Sequence, residues 1–148
     1  MSVWNPNQWH WEERPQTLWS KTRIPELFRE IAFPLEGGTL TIPEVDSIEG
    51  DAVINIRKGK RIISYELKIT SKWSGQIGEG DSAKKETGKI EMPYVCEDVD
   101  DMNFEVKVKA DNSNATSKKM MDIILANKSM INDKLKQWVE EMRTKELQ

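Results

Sequence analysis

The stretch from Gly50 to Ile69, GDAVINIRKGKRIISYELKI, decides the fold because it predicts a complete β-hairpin. Apolar side chains recur at every second position on both sides of Lys58-Gly59, which is typical of half-buried antiparallel strands. Ile54 is predicted to lie opposite Ile63, because a slip of one residue would turn an apolar set towards water. This register leaves Lys58-Gly59 as a two-residue turn, with Gly59 supplying a positive φ.

The turn of this hairpin carries a concentrated positive charge. Four of the five residues from Arg57 to Arg61 are cationic. Arg57 and Lys60 face each other across the strands in the predicted register, and like charges opposed in this way destabilise a hairpin. An acidic partner would relieve that cost. The tip, as we call residues Arg57–Lys60, is therefore a candidate binding site, together with the adjacent Arg61.

Length and composition restrict the class of protein. A chain of 148 residues fits one domain, residues 1–148, and 22 basic against 25 acidic residues give a net charge of −3. That balance provides no overall cationic field for nucleic acid. The single cysteine, Cys96, excludes an intramolecular disulfide and suits a reducing compartment. No segment has the apolar length of a signal core or a membrane span, so we expect a cytoplasmic protein that does not bind membranes and is monomeric.

The first 13 residues hold three of the six tryptophans and the only histidine. Pro6 opposes a helix here, and no regular periodicity is present. Two interpretations remain open for this arm: its indole rings pack on the core, as apolar aromatics usually do, or it is loosely held and engages a partner. His10 has no second ligand at helical spacing, so it does not indicate a metal site.

The remaining segments predict an α+β fold. Periodicity predicts helices at Pro15–Phe33 and from Thr116 to about Lys145, and strands at Thr39–Ser47, Lys89–Val95 and Asn103–Lys109. Pro25 either kinks the first helix or starts a second, short one. The second helix bears an apolar stripe of Met120, Ile124, Ile131, Leu135, Trp138 and Met142. We therefore expect an antiparallel meander of about four strands, with an N-terminal helix and a long C-terminal helix packed on it.

Motifs for chemistry are weak. The glycines between Gly75 and Gly80 lack the lysine of a phosphate loop, and the segment from Gly75 to Gly88 is interpreted as a hairpin loop. The acidic run from Glu97 to Asp101 lacks the spacing of a calcium loop. One histidine and one cysteine offer no paired nucleophile and base. We predict neither enzymatic activity nor a bound metal or cofactor.

Two motifs resemble the N-terminal domain of the activator of heat shock protein 90 ATPase, a co-chaperone family. Asn5-Pro6-Asn7-Gln8-Trp9-His10-Trp11 matches the family's Asn-x-Asn-Asn-Trp-His-Trp segment except at Gln8. Arg57-Lys58-Gly59-Lys60-Arg61 matches its Arg-Lys-x-x-Lys motif in the Arg-Lys-Gly-Lys form, with Arg61 where the strict motif has Lys. The resemblance covers most of the chain. Longer relatives continue into a second domain, so the chain is either a short member or part of a longer protein.

The resemblance implies a co-chaperone that binds the middle domain of heat shock protein 90 and stimulates its ATPase activity. The tip would reach the catalytic loop of the chaperone, and the arm would add to stimulation. The implied partner-binding residues are Arg57, Lys58, Lys60, Arg61, Asn5, Asn7, Trp9, His10 and Trp11. The alternative is a small nucleic-acid-binding domain, or another protein-interaction domain, that uses the basic tip on phosphates and tryptophans on bases.

Overall fold

The sheet is a five-stranded antiparallel meander in which each strand pairs with the next one along the chain. The computed structural model describes residues 11–147. The strands are β1 (Trp11–Pro15), β2 (Gly38–Arg57), β3 (Lys60–Ile77), β4 (Lys84–Cys96) and β5 (Lys107–Ala110). The α-helices are α1 (Thr17–Phe28), α2 (Ala115–Ala126) and α3 (Lys128–Thr144). The predicted α+β class and meander are confirmed, with five strands instead of about four.

The hairpin forms in the predicted register. Ile54 lies opposite Ile63, and Arg57 lies opposite Lys60. The strand predicted at Thr39–Ser47 is not separate, because β2 continues through it to the tip. The hairpin strands thus run 20 and 18 residues, which makes this pair the longest feature of the sheet.

The downstream strands differ from the prediction at their ends. β3 and β4 extend into the segment from Gly75 to Gly88, so the connecting loop is shorter than predicted. β5 covers only the end of the predicted Asn103–Lys109 strand, although Phe104 and Val106 are both buried before it begins. The alternation of apolar residues correctly predicted that these side chains are buried. It did not predict which residues pair with β4 by backbone hydrogen bonds.

The N-terminal helix is shorter than predicted, and a strand precedes it. Pro15 is the last residue of β1, so the helix predicted at Pro15–Phe33 is wrong at both ends. Proline is tolerated in an edge strand because its missing N–H can face away from the neighbouring strand. Pro25 lies inside α1 without ending it. Leu18, in the first turn of α1, is 81% exposed.

The predicted long C-terminal helix is two helices that meet at Asn127. The Asn127 side chain donates from Nδ2 to the Ile123 carbonyl at 2.8 Å, so an amide caps the end of α2. The apolar stripe is confirmed, since every member is 0% exposed: Met120, Ile124, Ile131, Leu135, Trp138 and Met142. No helix in the described part of the chain has the length and apolarity needed to cross a membrane.

The core lies between the three α-helices and one face of the sheet. Trp73 and Trp138 are its largest fully buried side chains, and each indole N–H has an acceptor. Trp73 donates to the Lys109 carbonyl at 2.8 Å, and Trp138 donates to Ser20 Oγ at 2.9 Å. The opposite side of the sheet, which we call the open face, carries the outward-pointing half of each alternating strand.

Candidate functional site

The tip is an exposed two-residue turn of mirror-image type. Lys58 and Gly59 have φ values of +52° and +77°, and a type I′ turn requires positive φ at both central residues. The sequence indicated this conformation only for the glycine. All four tip residues are exposed. Three cations therefore stand at the end of the longest hairpin of the molecule.

The cations of the tip share a row with an aromatic side chain. Trp11 of β1 pairs with Arg57, which pairs in turn with Lys60, and cross-strand partners point to the same side of a sheet. This row lies on the open face. Trp11 is 46% exposed, so a large apolar surface borders the two cations.

An exposed isoleucine follows directly behind this row. Ile62 pairs with Asn55, which pairs with Glu13, and the isoleucine side chain is 46% exposed on the open face. Sequence reasoning missed it as a candidate contact residue. The available signal was the doublet Ile62-Ile63, because two successive apolar residues in a strand cannot both point into the core.

Acidic side chains collect farther along the same face. Asp51 lies opposite Glu66, six residues from the Arg57–Lys60 pair along β2. At a rise of about 3.3 Å per residue, the opposite charges are about 20 Å apart. A cleft of about 640 Å³ adjoins the acidic pair, and its lining includes Glu97, Asp98 and the half-exposed Tyr94. Between the tip and this pair the open face is thus polarised, with cations at the tip, Ile62 behind it and the two carboxylates beyond, while Lys68 lines the far side of the cleft.

Arg61 is separated from the other predicted contacts. Strand alternation turns it towards the helices, where its Nη1 donates to the Met142 carbonyl at 2.9 Å. Of the other predicted residues, the structure brings together Trp11, Arg57, Lys58 and Lys60. Asn5, Asn7, Trp9 and His10 lie outside the described residues. Within residues 11–147, no three His, Cys, Asp or Glu side chains are arranged to hold a metal ion.

The last turn of α3, beneath the tip, is bonded to α1. Arg23 contacts both carboxylate oxygens of Glu141, at 2.7 and 2.8 Å. The hydrogen bond from Arg23 holds the pKa of Glu141 below its ordinary value. Lys145 Nζ donates to Gln16 Oε1 at 2.7 Å and lies 3.9 Å from the centre of the Trp19 ring. Burial, and then the charge of Arg61, lower the pKa of Lys145.

Comparison with known proteins identifies relatives of this arrangement. A family model described as "Activator of Hsp90 ATPase, N-terminal" matches residues 13–146. The chain is 42% identical over 104 residues to "Activator of 90 kDa heat shock protein ATPase homolog 2" of Mus musculus; the match covers 70% of this chain and 31% of the mouse protein. The chain therefore spans about a third of the length of that relative.

Solved structures agree with this match. The crystal structure of Aha-1 from Plasmodium falciparum aligns with a TM-score of 0.76 at 22% identity, over 88% of this chain and 86% of that one, which supports the fold. The solution structure of the human Aha1 N-terminal domain aligns with a TM-score of 0.61 at 25% identity, over 88% and 91%. Since the family model covers almost all of the described residues, the chain belongs to the family of N-terminal domains of the activator of Hsp90 ATPase.

Proposed function

We propose that this protein is a co-chaperone that binds the middle domain of heat shock protein 90 and stimulates its ATPase activity. The observation that carries the proposal is the exposed type I′ tip with Arg57, Lys58 and Lys60, which a member of this family presents at the end of its longest hairpin. The relatives are named as activators of the chaperone ATPase, and this chain spans only part of them.

The tip acts by charge-assisted hydrogen bonds. Guanidinium and ammonium groups donate strongly to carboxylates and to the exposed carbonyls at a helix C-terminus. Bound at a catalytic loop, such donors favour the conformers of the chaperone in which that loop is ordered for hydrolysis. The co-chaperone supplies no nucleophile or base of its own in this scheme. It is an activator and not an ATPase, and it works as a monomer in the cytoplasm.

The polarity of the open face gives the docked complex its direction. Cations at the tip and the Asp51–Glu66 pair about 20 Å away require a partner surface with the opposite order of charges. Trp11, beside the tip cations, and Ile62, one row behind them, are each 46% exposed and supply apolar area at this end of the face. Because the cationic patch at the tip is small and the Asp51–Glu66 carboxylates lie on the same face, nucleic acid is a poor fit to this surface.

The N-terminal arm adds to stimulation. The chain enters β1 at Trp11, which pairs with Arg57 in the row of the tip. Asn5, Asn7, Trp9 and His10 lie one to six residues before Trp11 in the sequence, and in this proposal they engage the same region of the partner as the tip. We assign them to activation of the bound chaperone more than to affinity.

The test is the ATPase rate of purified heat shock protein 90, measured with increasing amounts of this protein. We expect saturable stimulation. Lys60→Glu and Glu66→Lys should each weaken it, because each reverses a charge at one end of the polarised face. Glu36→Lys, at an exposed position before β2, is the matched control for Glu66→Lys, and Lys84→Glu, at an exposed position of β4, is the matched control for Lys60→Glu. No stimulation at a large molar excess of this protein, or no binding to the chaperone in calorimetry, contradicts the proposal.

A further inference from the structure

Arg61 belongs to the helix side of the hairpin although it directly follows the tip in sequence. It pairs with Ile56, and this pair is the last one before the turn whose side chains face the helices. Beyond it lie only the exposed pair of Arg57 and Lys60 and the two turn residues. In this part of the sheet β2 lies between β1 and β3, whereas β3 has no second neighbouring strand before Glu66. Opposed cations weaken the last pair of the hairpin, so the end of β3 depends on the contacts made by the row of Arg61.

The guanidinium of Arg61 caps the last turn of α3. The last four carbonyls of a helix lack intrahelical N–H partners and carry partial negative charge, which a cation stabilises. The backbone N–H of Lys145 bonds to the Glu141 carbonyl at 2.8 Å. Arg61 Nη1 takes the next carbonyl, that of Met142, at 2.9 Å. A strand residue 81 positions away thus completes the end of this helix.

The helix end that Arg61 caps is itself fixed. The bidentate contact of Arg23 with Glu141 ties this turn to α1, and the Lys145 contact with Gln16 ties the following residue to the junction of β1 and α1. Met142 is 0% exposed. The last turn of α3 is therefore a rigid support, and Arg61 is the group by which the hairpin base is hydrogen-bonded to it.

We propose that Arg61 is a positioning residue, which fixes the direction of the tip by bonding the hairpin base to the end of α3, and that it does not itself contact the chaperone. This inference rests on the proposed function for its effect on stimulation, but the effect on the tip is a property of the isolated protein. The proposal gives Arg61 a different role from Arg57, Lys58 and Lys60, although all four belong to the same sequence motif.

The test compares Arg61→Met, which keeps the apolar stem, with Arg61→Lys, which keeps a donor. In the isolated protein, ¹⁵N relaxation should give Gly59 an order parameter near 0.85 in the wild type and below about 0.6 in Arg61→Met. With the chaperone, Arg61→Met should lower maximal stimulation about tenfold, the equivalent of one charge-assisted hydrogen bond, while changing affinity little. Arg61→Lys should restore most of both. Arg143→Met, which removes an exposed arginine from the same helix turn, is the control and should change neither.

Three results overturn the positioning role. An unchanged order parameter in Arg61→Met means that the contact does not hold the tip. A tenfold loss of affinity with an ordered tip makes Arg61 a direct partner contact. Failure of Arg61→Lys to recover either quantity excludes the hydrogen bond as the cause. If the wild type stimulates no chaperone at all, the proposed function fails, whereas the relaxation comparison still decides whether Arg61 holds the tip.

Discussion

At the residue scale, the tip combines a demanding backbone with a demanding charge distribution. Lys58 adopts a positive φ, which is uncommon outside glycine, asparagine and aspartate. Arg57 and Lys60 carry like charges and lie opposite each other across the strands. Neither choice favours folding, and strained or repulsive positions that persist in a stable protein cluster at functional sites. Substitutions that relax the tip should therefore separate stability from activity.

The first prediction concerns Lys58→Asn combined with Lys60→Ala. Asn-Gly is the preferred pair for a type I′ turn, and removing two cations relieves repulsion, so thermal unfolding should occur at an unchanged or higher temperature. Stimulation of the chaperone should fall about a hundredfold, because charge-assisted bonds contribute about 1.5–3 kcal/mol each. Lys84→Ala with Lys85→Ala makes the same charge change at exposed positions. If the tip variant unfolds at a lower temperature than the wild type, or stimulates the chaperone as well as the wild type does, these residues form a solvated turn with no role in activation.

The second prediction concerns Glu141→Gln. Because Arg23 lowers the pKa of Glu141 from 4.5, the pair stabilises the folded state above that pH, and the contribution is lost as the pH falls through the lowered value. The variant should lose about 1 kcal/mol of unfolding free energy at pH 7, where the wild-type carboxylate is charged. The difference should narrow below about pH 4.5, measured by urea unfolding at each pH. A difference that does not depend on pH assigns the loss to packing instead.

At the element scale, α2 lies so close to β3 that one strand position has no room for a side chain. A Cβ at Gly75 would lie 2.5 Å from Met120 Sδ and 2.9 Å from Leu40 Cδ1. Met120 is 0% exposed and belongs to the stripe that seats α2 on the sheet. The glycine therefore sets the distance between the helix and the sheet.

The third prediction is that Gly75→Ala costs about 1–3 kcal/mol by pushing α2 outwards, as overpacking of a core does. Denaturant unfolding of Gly75→Ala, Met120→Ala and the double variant forms a cycle. The double variant should lose less than the sum of the single losses, because the shortened Met120 side chain makes room for the new methyl group. Strict additivity of the two losses contradicts a contact between these positions.

Sequence predicted the elements that a strong period defines and missed those that depend on distant contacts. The hairpin register followed from alternation at Ile54 and Ile63, because only one pairing buries both sets. The break at Asn127 was missed, since no Pro or Gly marks it and the cap is an amide contact within one turn. β1 was missed because Pro15 also suits a helix start. The direction of Arg61 was hidden by its place in a motif, as its acceptor on α3 lies 81 residues away.

At the scale of the whole molecule, the meander gives the two faces of the sheet separate tasks. One face carries the helices and the core, and the open face is the surface that we propose for docking. Trp11 belongs both to the sheet and to the candidate site. It is the first residue of the edge strand β1, and it lies in the same row as Arg57 and Lys60 of the tip. Residues 11–13 of the predicted arm therefore belong to the sheet, and the start of β1 is the boundary that we choose for truncation.

The fourth prediction follows from that boundary. Deleting residues 1–10 leaves β1 intact, so the truncated protein should keep a cooperative thermal transition while its maximal stimulation falls more than its affinity. Deleting residues 1–15 also removes β1, uncovers the edge of β2 and should lower the transition temperature. Calorimetry and the chaperone ATPase assay measure both effects. Loss of cooperativity on removing residues 1–10 alone would mean that the arm packs on the core.

The burial of the indole rings makes the protein its own optical probe. Trp73 and Trp138 have no solvent-exposed surface, whereas Trp11 is 46% exposed beside the tip. An indole in an apolar interior emits at shorter wavelength than one in water, so the short-wavelength emission monitors denaturation. With Trp4, Trp9 and the partly buried Trp19 replaced by phenylalanine, the long-wavelength emission comes from Trp11. A ligand that quenches only this component must occupy the end of the open face next to the tip, and no attached dye is needed to detect it.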